Sequence, residues 1–87
     1  MGMFHNGIAH SLEGIELAIT ARDVDGLRVA AHTVKGSCGN IGAMQMRETA
    51  VAIEAAAKTG DISGAPEGLA LLRRQLEEFK AAVEQLA

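Results

Sequence analysis

The chain has 87 residues, enough for one small domain with a single core and too few for a nucleotide-binding fold with a separate substrate domain. Apolar residues make up 48% of the sequence and aromatic residues only 2%, and this composition, rich in alanine and leucine, favours packed helices over a sheet. The formal charge of −3 argues against a nucleic-acid partner, because phosphate contacts require clustered lysine and arginine.

The 3.6-residue spacing of apolar residues predicts four helices, over about residues 3–21, 24–38, 43–59 and 66–86. Asp23 is a good N-cap for the second helix, and Gly39, Asn40 and Gly42 are typical of the residues that end one. The third helix is ended by the pair at 60–61, glycine and aspartate, and Pro66 suits the first turn of the fourth.

Each predicted helix has one apolar stripe, and these stripes are the expected core. In chain order they consist of Phe4, Ile8, Leu12, Ile15 and Ile19; Leu27, Ala31, Val34 and Cys38; Met46, Ala50, Ile53 and Ala57; and Leu69, Leu72, Leu76, Phe79, Val83 and Leu86. Connections of only a few residues make neighbouring helices antiparallel. The sequence therefore predicts an all-α fold, an antiparallel up-down-up-down four-helix bundle that occupies residues 1–87 as one domain.

Cysteine usage and hydropathy indicate where the protein works. Cys38 is the only cysteine of the sequence, so no disulfide can form within the chain, and the thiol is interpreted as a small buried hydrophobe in a reducing compartment. No apolar run reaches the roughly 18 residues of a membrane span, and no signal-peptide pattern is present. We expect a cytoplasmic protein that does not enter a membrane.

No metal site is expected, because histidine and cysteine do not recur at the spacing of a helical metal motif.

The second helix carries a stripe that does not belong to the core. His32 lies roughly 130° from the centre of the apolar stripe, and Lys35 and Gly36 follow it on the same outward side. A side chain leans back over the preceding turn, so any side chain at position 36 would lie across the imidazole. Glycine leaves that ring uncovered, although glycine within a helix costs about 1 kcal/mol relative to alanine. A lone helical histidine is usually only solvated, but this arrangement indicates a reactive one.

The neighbouring residues suit covalent carriage of a phosphoryl group. If the second and third helices pair antiparallel, Glu54 comes within reach of His32, where its carboxylate would fix the tautomer that leaves Nε2 as the nucleophile. Lys35 and Lys58 would offset charge on the phosphoryl oxygens. No residue set is suited to binding ATP or Mg²⁺, so the phosphoryl donor and the metal are expected to come from a partner.

Three segments resemble the histidine-containing phosphotransfer (HPt) domains of bacterial two-component phosphorelays. Residues 31–37 read AHTVKGS, similar to the family motif AHTLKGS, and residues 39–43 read GNIGA, similar to its GNLGA turn. Residues 52–61 read AIEAAAKTGD, similar to the family's LExAA(K/R)xGD ending of the next helix. The match covers most of the chain and departs at Val34, where leucine is commoner.

The resemblance implies a role for each of five residues. His32 would accept the phosphoryl group, Lys35 would assist the phosphate, Gly36 would clear space for the partner, Glu54 would hydrogen-bond the imidazole, and Lys58 matches a position that is often basic. The implied partners are a response-regulator receiver domain, a hybrid sensor histidine kinase, or both, with Mg²⁺ held by the receiver. The domain is expected to be a monomeric phosphocarrier without a kinase site of its own.

Two other functions remain open from the sequence. One is a chemotaxis-kinase-type substrate domain, phosphorylated on His32 by an ATP-binding domain instead of a receiver. The other is a non-catalytic docking module, against which Gly36 argues, because simple docking does not require an uncovered imidazole.

Overall fold

Helices make up nearly all of the backbone between residues 2 and 86. The computed structural model describes these residues and, within them, the side chains of residues 7–85. The helices are α1 (Gly2–Ala21), α2 (Val24–Ile41), α3 (Met44–Lys58) and α4 (Ala65–Leu86). They form an elongated bundle of 41 × 19 × 18 Å. The all-α fold class predicted from the sequence is confirmed.

Contacts between the helices give their order around the bundle. Each helix packs against its neighbours in sequence, most extensively α2 against α3, and α4 closes the ring against α1. Between α2 and α3, His32 meets Glu54 while Gly39, seven residues later, lies against Arg47, seven residues earlier, so the two helices run antiparallel. The antiparallel direction follows from the short connection between the two helices.

Polar side-chain contacts also link α3 to α4 and α1 to α4. Thr49 donates a hydrogen bond of 2.9 Å to the side-chain oxygen of Gln75, linking α3 to α4. The Arg73 guanidinium lies 2.9 Å from a carboxylate oxygen of Glu16, linking α4 to α1. The latter pair is exposed, so it contributes at most about 1 kcal/mol and the bundle depends on its apolar core.

The predicted stripes form that core. Fully or nearly fully buried are Ile8, Leu12, Ile15, Leu27, Ala31, Val34, Cys38, Met46, Ala50, Ile53, Ala57, Leu69, Leu72 and Leu76. Ile19 and Phe79 are partly buried and pack against it, and Val83 is half-buried. Two of the predicted members, Phe4 and Leu86, have side chains that lie outside the described ones. Burial of one helix face each is what the 3.6-residue spacing predicts.

The predicted end of α2 is wrong. The helix runs to Ile41, three residues beyond the expected end at Cys38, and passes through Gly39 and Asn40. It ends where Gly42 takes a left-handed conformation (φ 79°) and the Ala43 N–H donates to the Cys38 carbonyl at 2.9 Å. Only the glycine with positive φ is needed to end a helix this way. The extra turn brings Ile41 against the core.

The other helix limits differ from expectation by one residue. α1 begins at residue 2, α4 begins at Ala65, and α3 spans Met44–Lys58 because Ala43 and Thr59 are its caps. The predicted N-cap of α2 is confirmed, since Asp23 accepts a hydrogen bond of 2.9 Å from the Gly26 N–H. In the part of the chain that the structure describes, no helix has the length and apolar character needed to cross a membrane.

Candidate functional site

His32 stands on the outer surface of α2, on the side that faces α3. Its side chain is 63% exposed, although the residue before it, Ala31, is completely buried. A Cβ atom built on Gly36, one turn further along, would meet no atom within 4 Å. The space over the imidazole is therefore open, as the sequence predicts.

Glu54 approaches the imidazole from α3 and is nearly completely buried, with 5% of the residue exposed. Its Oε2 lies 2.9 Å from Nδ1 of His32. Its Oε1 accepts a hydrogen bond of 2.9 Å from Nζ of Lys35. Each carboxylate oxygen thus has one partner from α2, across the α2–α3 interface, which is the most extensive of the bundle.

The carboxylate sets the tautomer of the ring. An ionised carboxylate only accepts hydrogen bonds, so Nδ1 of His32 carries the proton and donates it to Glu54. The remaining ring nitrogen, Nε2, then holds a lone pair, and it is the nitrogen that a second molecule can reach.

The charge on Glu54 is stabilised despite its burial. The hydrogen bond from Lys35 is the largest influence that holds the pKa of this carboxyl below its ordinary value of 4.5, and the His32 hydrogen bond acts in the same direction. Burial acts in the opposite direction. Because two donors and a full positive charge compensate the desolvation, the carboxylate is ionised at neutral pH.

The remaining predicted site residue is not part of this cluster. Lys58 lies on the exposed surface of α3, one turn beyond Glu54, and forms no hydrogen bond or ion pair with any side chain the structure describes. The structure therefore brings together His32, Lys35 and Glu54, leaves Gly36 open beside them, and gives Lys58 no contact there.

Sequence reasoning missed two features of this surface. Glu54 was expected to flank the core stripe and is instead buried within it. Val29 and Val51 are exposed by 51% and 37%, one turn before His32 and one turn before Glu54 respectively. Apolar residues at positions predicted to face solvent were the available signal for the second feature.

The grooves of the bundle lie elsewhere than the exposed imidazole. A groove of about 800 Å³ lies between α3 and α4, and none of His32, Lys35 and Glu54 lines it. Among the described side chains, no group of three or more histidine, cysteine, aspartate or glutamate residues is placed to hold a metal ion.

A four-helix bundle with an exposed imidazole held by a buried carboxylate defines a class of protein that carries a group on histidine. The family model described as "Hpt domain" matches residues 1–82, and the chain belongs to this family. The chain is also similar to a protein of known crystal structure, histidine-containing phosphotransfer protein B (HptB) from Pseudomonas aeruginosa PAO1. The TM-score is 0.90 at 25% sequence identity, and the match covers 95% of this chain and 72% of HptB. Among curated proteins, none matches the chain by sequence.

These findings confirm the resemblance seen in the sequence. Family and fold give the chain a phosphotransfer role in two-component signalling, and HPt proteins are phosphocarriers rather than kinases.

Proposed function

We propose that His32 accepts a phosphoryl group from the phospho-aspartate of a receiver domain and passes it, reversibly, to a response regulator. The observation that carries this proposal is the 2.9 Å contact between Nδ1 of the exposed His32 and the buried Glu54 carboxylate, with open space above Gly36 one turn away. The contact activates Nε2 in the way that a buried aspartate prepares the histidine of a hydrolase triad.

The chemistry needs few groups from this chain. The lone pair of Nε2 attacks phosphorus, and Glu54 stabilises the positive charge that the ring acquires. Lys35, bonded to Glu54, supplies positive charge next to the imidazole, and the exposed Lys58 lies one turn beyond Glu54 on α3. Mg²⁺ belongs to the receiver, where it would neutralise the phosphoryl oxygens and the leaving carboxylate.

The exposed valines support a receiver as the partner. Val29 and Val51 provide exposed apolar area one turn before His32 and one turn before Glu54, and the space above Gly36 is open. A small apolar patch with a charged margin suits a partner that must bind, exchange a group and leave. We propose that the domain meets this partner as a monomer.

The direct test is transfer of label from a phosphorylated receiver. The wild-type domain is expected to acquire acid-labile phosphate, and His32→Gln is expected to abolish it. His10→Gln is the matched control, because His10 is an exposed histidine on α1 that lies 3.6 Å from Glu13. It should be labelled like the wild type. Undiminished label on the His32 variant would refute the assignment.

The same site geometry suits an ATP-binding kinase domain as the donor, whether separate or within a hybrid sensor kinase. Supplying the domain in parallel with phosphorylated receivers and with an ATP-charged kinase domain distinguishes the two donors, since the faster route identifies the cognate one. A docking module would bind a partner equally well after His32→Ala and would transfer nothing.

A further inference from the structure

Arg47 of α3 lies against α2 at Gly39. A Cβ atom built on Gly39 would stand 3.7 Å from both Cδ and Nε of Arg47. Gly39 is within α2, although only proline is less favourable than glycine inside a helix. Positions 32, 36 and 39 of a helix share one stripe. The arginine therefore reaches the stripe that carries His32, about 10 Å from that residue along the helix axis.

The charge of Arg47 is not neutralised by any side chain that the structure describes. Arg47 is half-buried and forms no hydrogen bond or ion pair with them. Arg28, one turn before His32, is already paired with Asp25 through hydrogen bonds of 2.9 and 3.2 Å. A guanidinium carries five N–H donors and stays charged at physiological pH. Of the two arginines on α2 and α3, Arg47 is therefore the one available to bind an anion.

Exposed apolar side chains lie beside Arg47 on α3. Met44 is 53% exposed and Val51 is 37% exposed. Because seven residues separate them, they share one face of the helix, about 10 Å apart along its axis. Arg47 stands between them, at the edge of this face that is turned to α2. These three residues form a strip on α3 (the α3 strip), and apolar side chains with an arginine at the margin suit an interface with another protein.

We propose that the receiver domain docks along the α3 strip, toward the turn between α2 and α3, and places a carboxylate against Arg47. The inference rests on the proposed phosphoryl transfer at His32 and gives the docked partner a direction. The receiver surface that fits is an apolar face with an acidic side chain at its margin. Arg47 binds that side chain and not the phosphoryl group, because about 10 Å separates it from the imidazole along α2.

The opposite direction, toward α1, presents charge of the wrong sign for such a partner. Leu17 is an exposed apolar residue there, with 70% of its surface accessible. It lines a groove with Glu13 and Glu16, and of these two carboxylates only Glu16 is paired with an arginine. Glu48, the acidic neighbour of Arg47, lines the groove between α3 and α4. An acidic receiver surface is therefore repelled on the α1 side and attracted by Arg47 on the α3 side.

Removal of the charge at Arg47 tests the ionic contact. The domain is loaded from a phosphorylated receiver, and the probe is the receiver that charges the wild type fastest. Arg47→Met keeps the aliphatic chain over Gly39 and should raise the half-saturating receiver concentration at least about threefold, with the maximal rate within about twofold of the wild type. The difference should shrink as salt rises from about 0.05 M to about 0.5 M, because salt screens an exposed ion pair. Arg47→Lys keeps the charge and should restore most of the affinity.

A polar substitution on each side of the bundle tests the direction of docking. Met44→Gln, on the α3 strip, should raise the half-saturating receiver concentration, whereas Leu17→Gln, on α1, should leave it unchanged. Both side chains are more than half exposed, so both variants should keep the stability of the wild type. Arg74→Met removes the same charge as Arg47→Met, but from α4, and as the matched control it should transfer like the wild type.

The inference would be overturned by an Arg47→Met variant that saturates at the wild-type receiver concentration, or by a loss of affinity that salt does not change. A larger effect of Leu17→Gln than of Met44→Gln would also overturn it. A lower maximal rate of Arg47→Met at unchanged half-saturation would place Arg47 on the phosphoryl group and so contradict the inference. In each of these cases His32 would remain the acceptor. A wild-type domain that takes no label from any receiver would contradict the proposed function instead.

Discussion

Two substitutions of Gly36 are expected to act on different properties of the domain: alanine on its stability and glutamine on phosphoryl transfer. The residue lies in the interior of α2, with an ordinary helical backbone and open space where a Cβ would stand. Alanine therefore fits without strain, and Gly36→Ala is expected to stabilise the domain by about 1 kcal/mol, the full difference in helix propensity. For a domain of this size that raises the melting temperature by about 4–8 °C.

A longer side chain at the same position should impair function. A glutamine side chain introduced there would lean back over the preceding turn and cover the imidazole of His32. We expect Gly36→Gln to slow phosphoryl transfer by at least about tenfold, which corresponds to an activation free energy raised by about 1.4 kcal/mol. Gly36→Ala, whose single methyl group reaches less far, should retain more activity than Gly36→Gln.

Gly7 provides a matched control on α1. It is exposed, and a Cβ there also meets no atom within 4 Å. Gly7→Gln should leave transfer unchanged. Thermal unfolding and receiver-to-domain transfer would be measured for both positions. A Gly36→Gln variant that transfers at the wild-type rate would show that an uncovered imidazole is not required. Loss of stability in Gly36→Ala would show that this glycine has a structural role in the helix.

Three further outcomes follow from the packing and charge of the described residues. Because the pKa of Glu54 is lower in the folded chain than its ordinary 4.5, the carboxylate stabilises the fold above that value, and this contribution is lost as pH falls through the folded pKa. Urea unfolding should therefore show the stability difference between wild type and Glu54→Gln shrinking in acid. Gly68→Ala would place a Cβ 2.9 Å from two atoms of Ile53, and this overlap should offset the gain in helix propensity, so the variant should be less stable than Gly36→Ala by about 1 kcal/mol or more; equal gains in melting temperature at the two positions would contradict this. Cys38 is completely buried, and burial raises the pKa of its thiol, so iodoacetamide should modify it only after unfolding; rapid labelling of the native domain would contradict the packing.

Much of the fold could be predicted because helix formation and burial follow local rules. The 3.6-residue recurrence of apolar residues in α2 and α3 gave the buried faces, since each helix must turn one face to the core. Asp23, at the start of α2, and Gly60, after the end of α3, could be identified for the same reason. The Asp23 side chain accepts from the Gly26 N–H, and the Gly60 N–H donates to the Ala57 carbonyl. The end of α2 could not be predicted in this way. Gly39, Asn40 and Gly42 all favour a turn locally, and only the packing of Ile41 against the core decides between them.

The candidate site was likewise predictable only where its features depend on local sequence. The order of His32, Lys35 and Gly36 along α2 determined by itself that a histidine faces solvent beside a cation, uncovered by the next turn, because side-chain direction in a helix depends only on spacing. Only the pairing of α2 with α3 decided that Glu54 is buried, that it fixes the Nδ1 proton, and that Lys35 reaches the carboxylate. Those contacts join residues about twenty positions apart, and whether their atoms meet at 2.9 Å depends on the register and spacing of two packed helices.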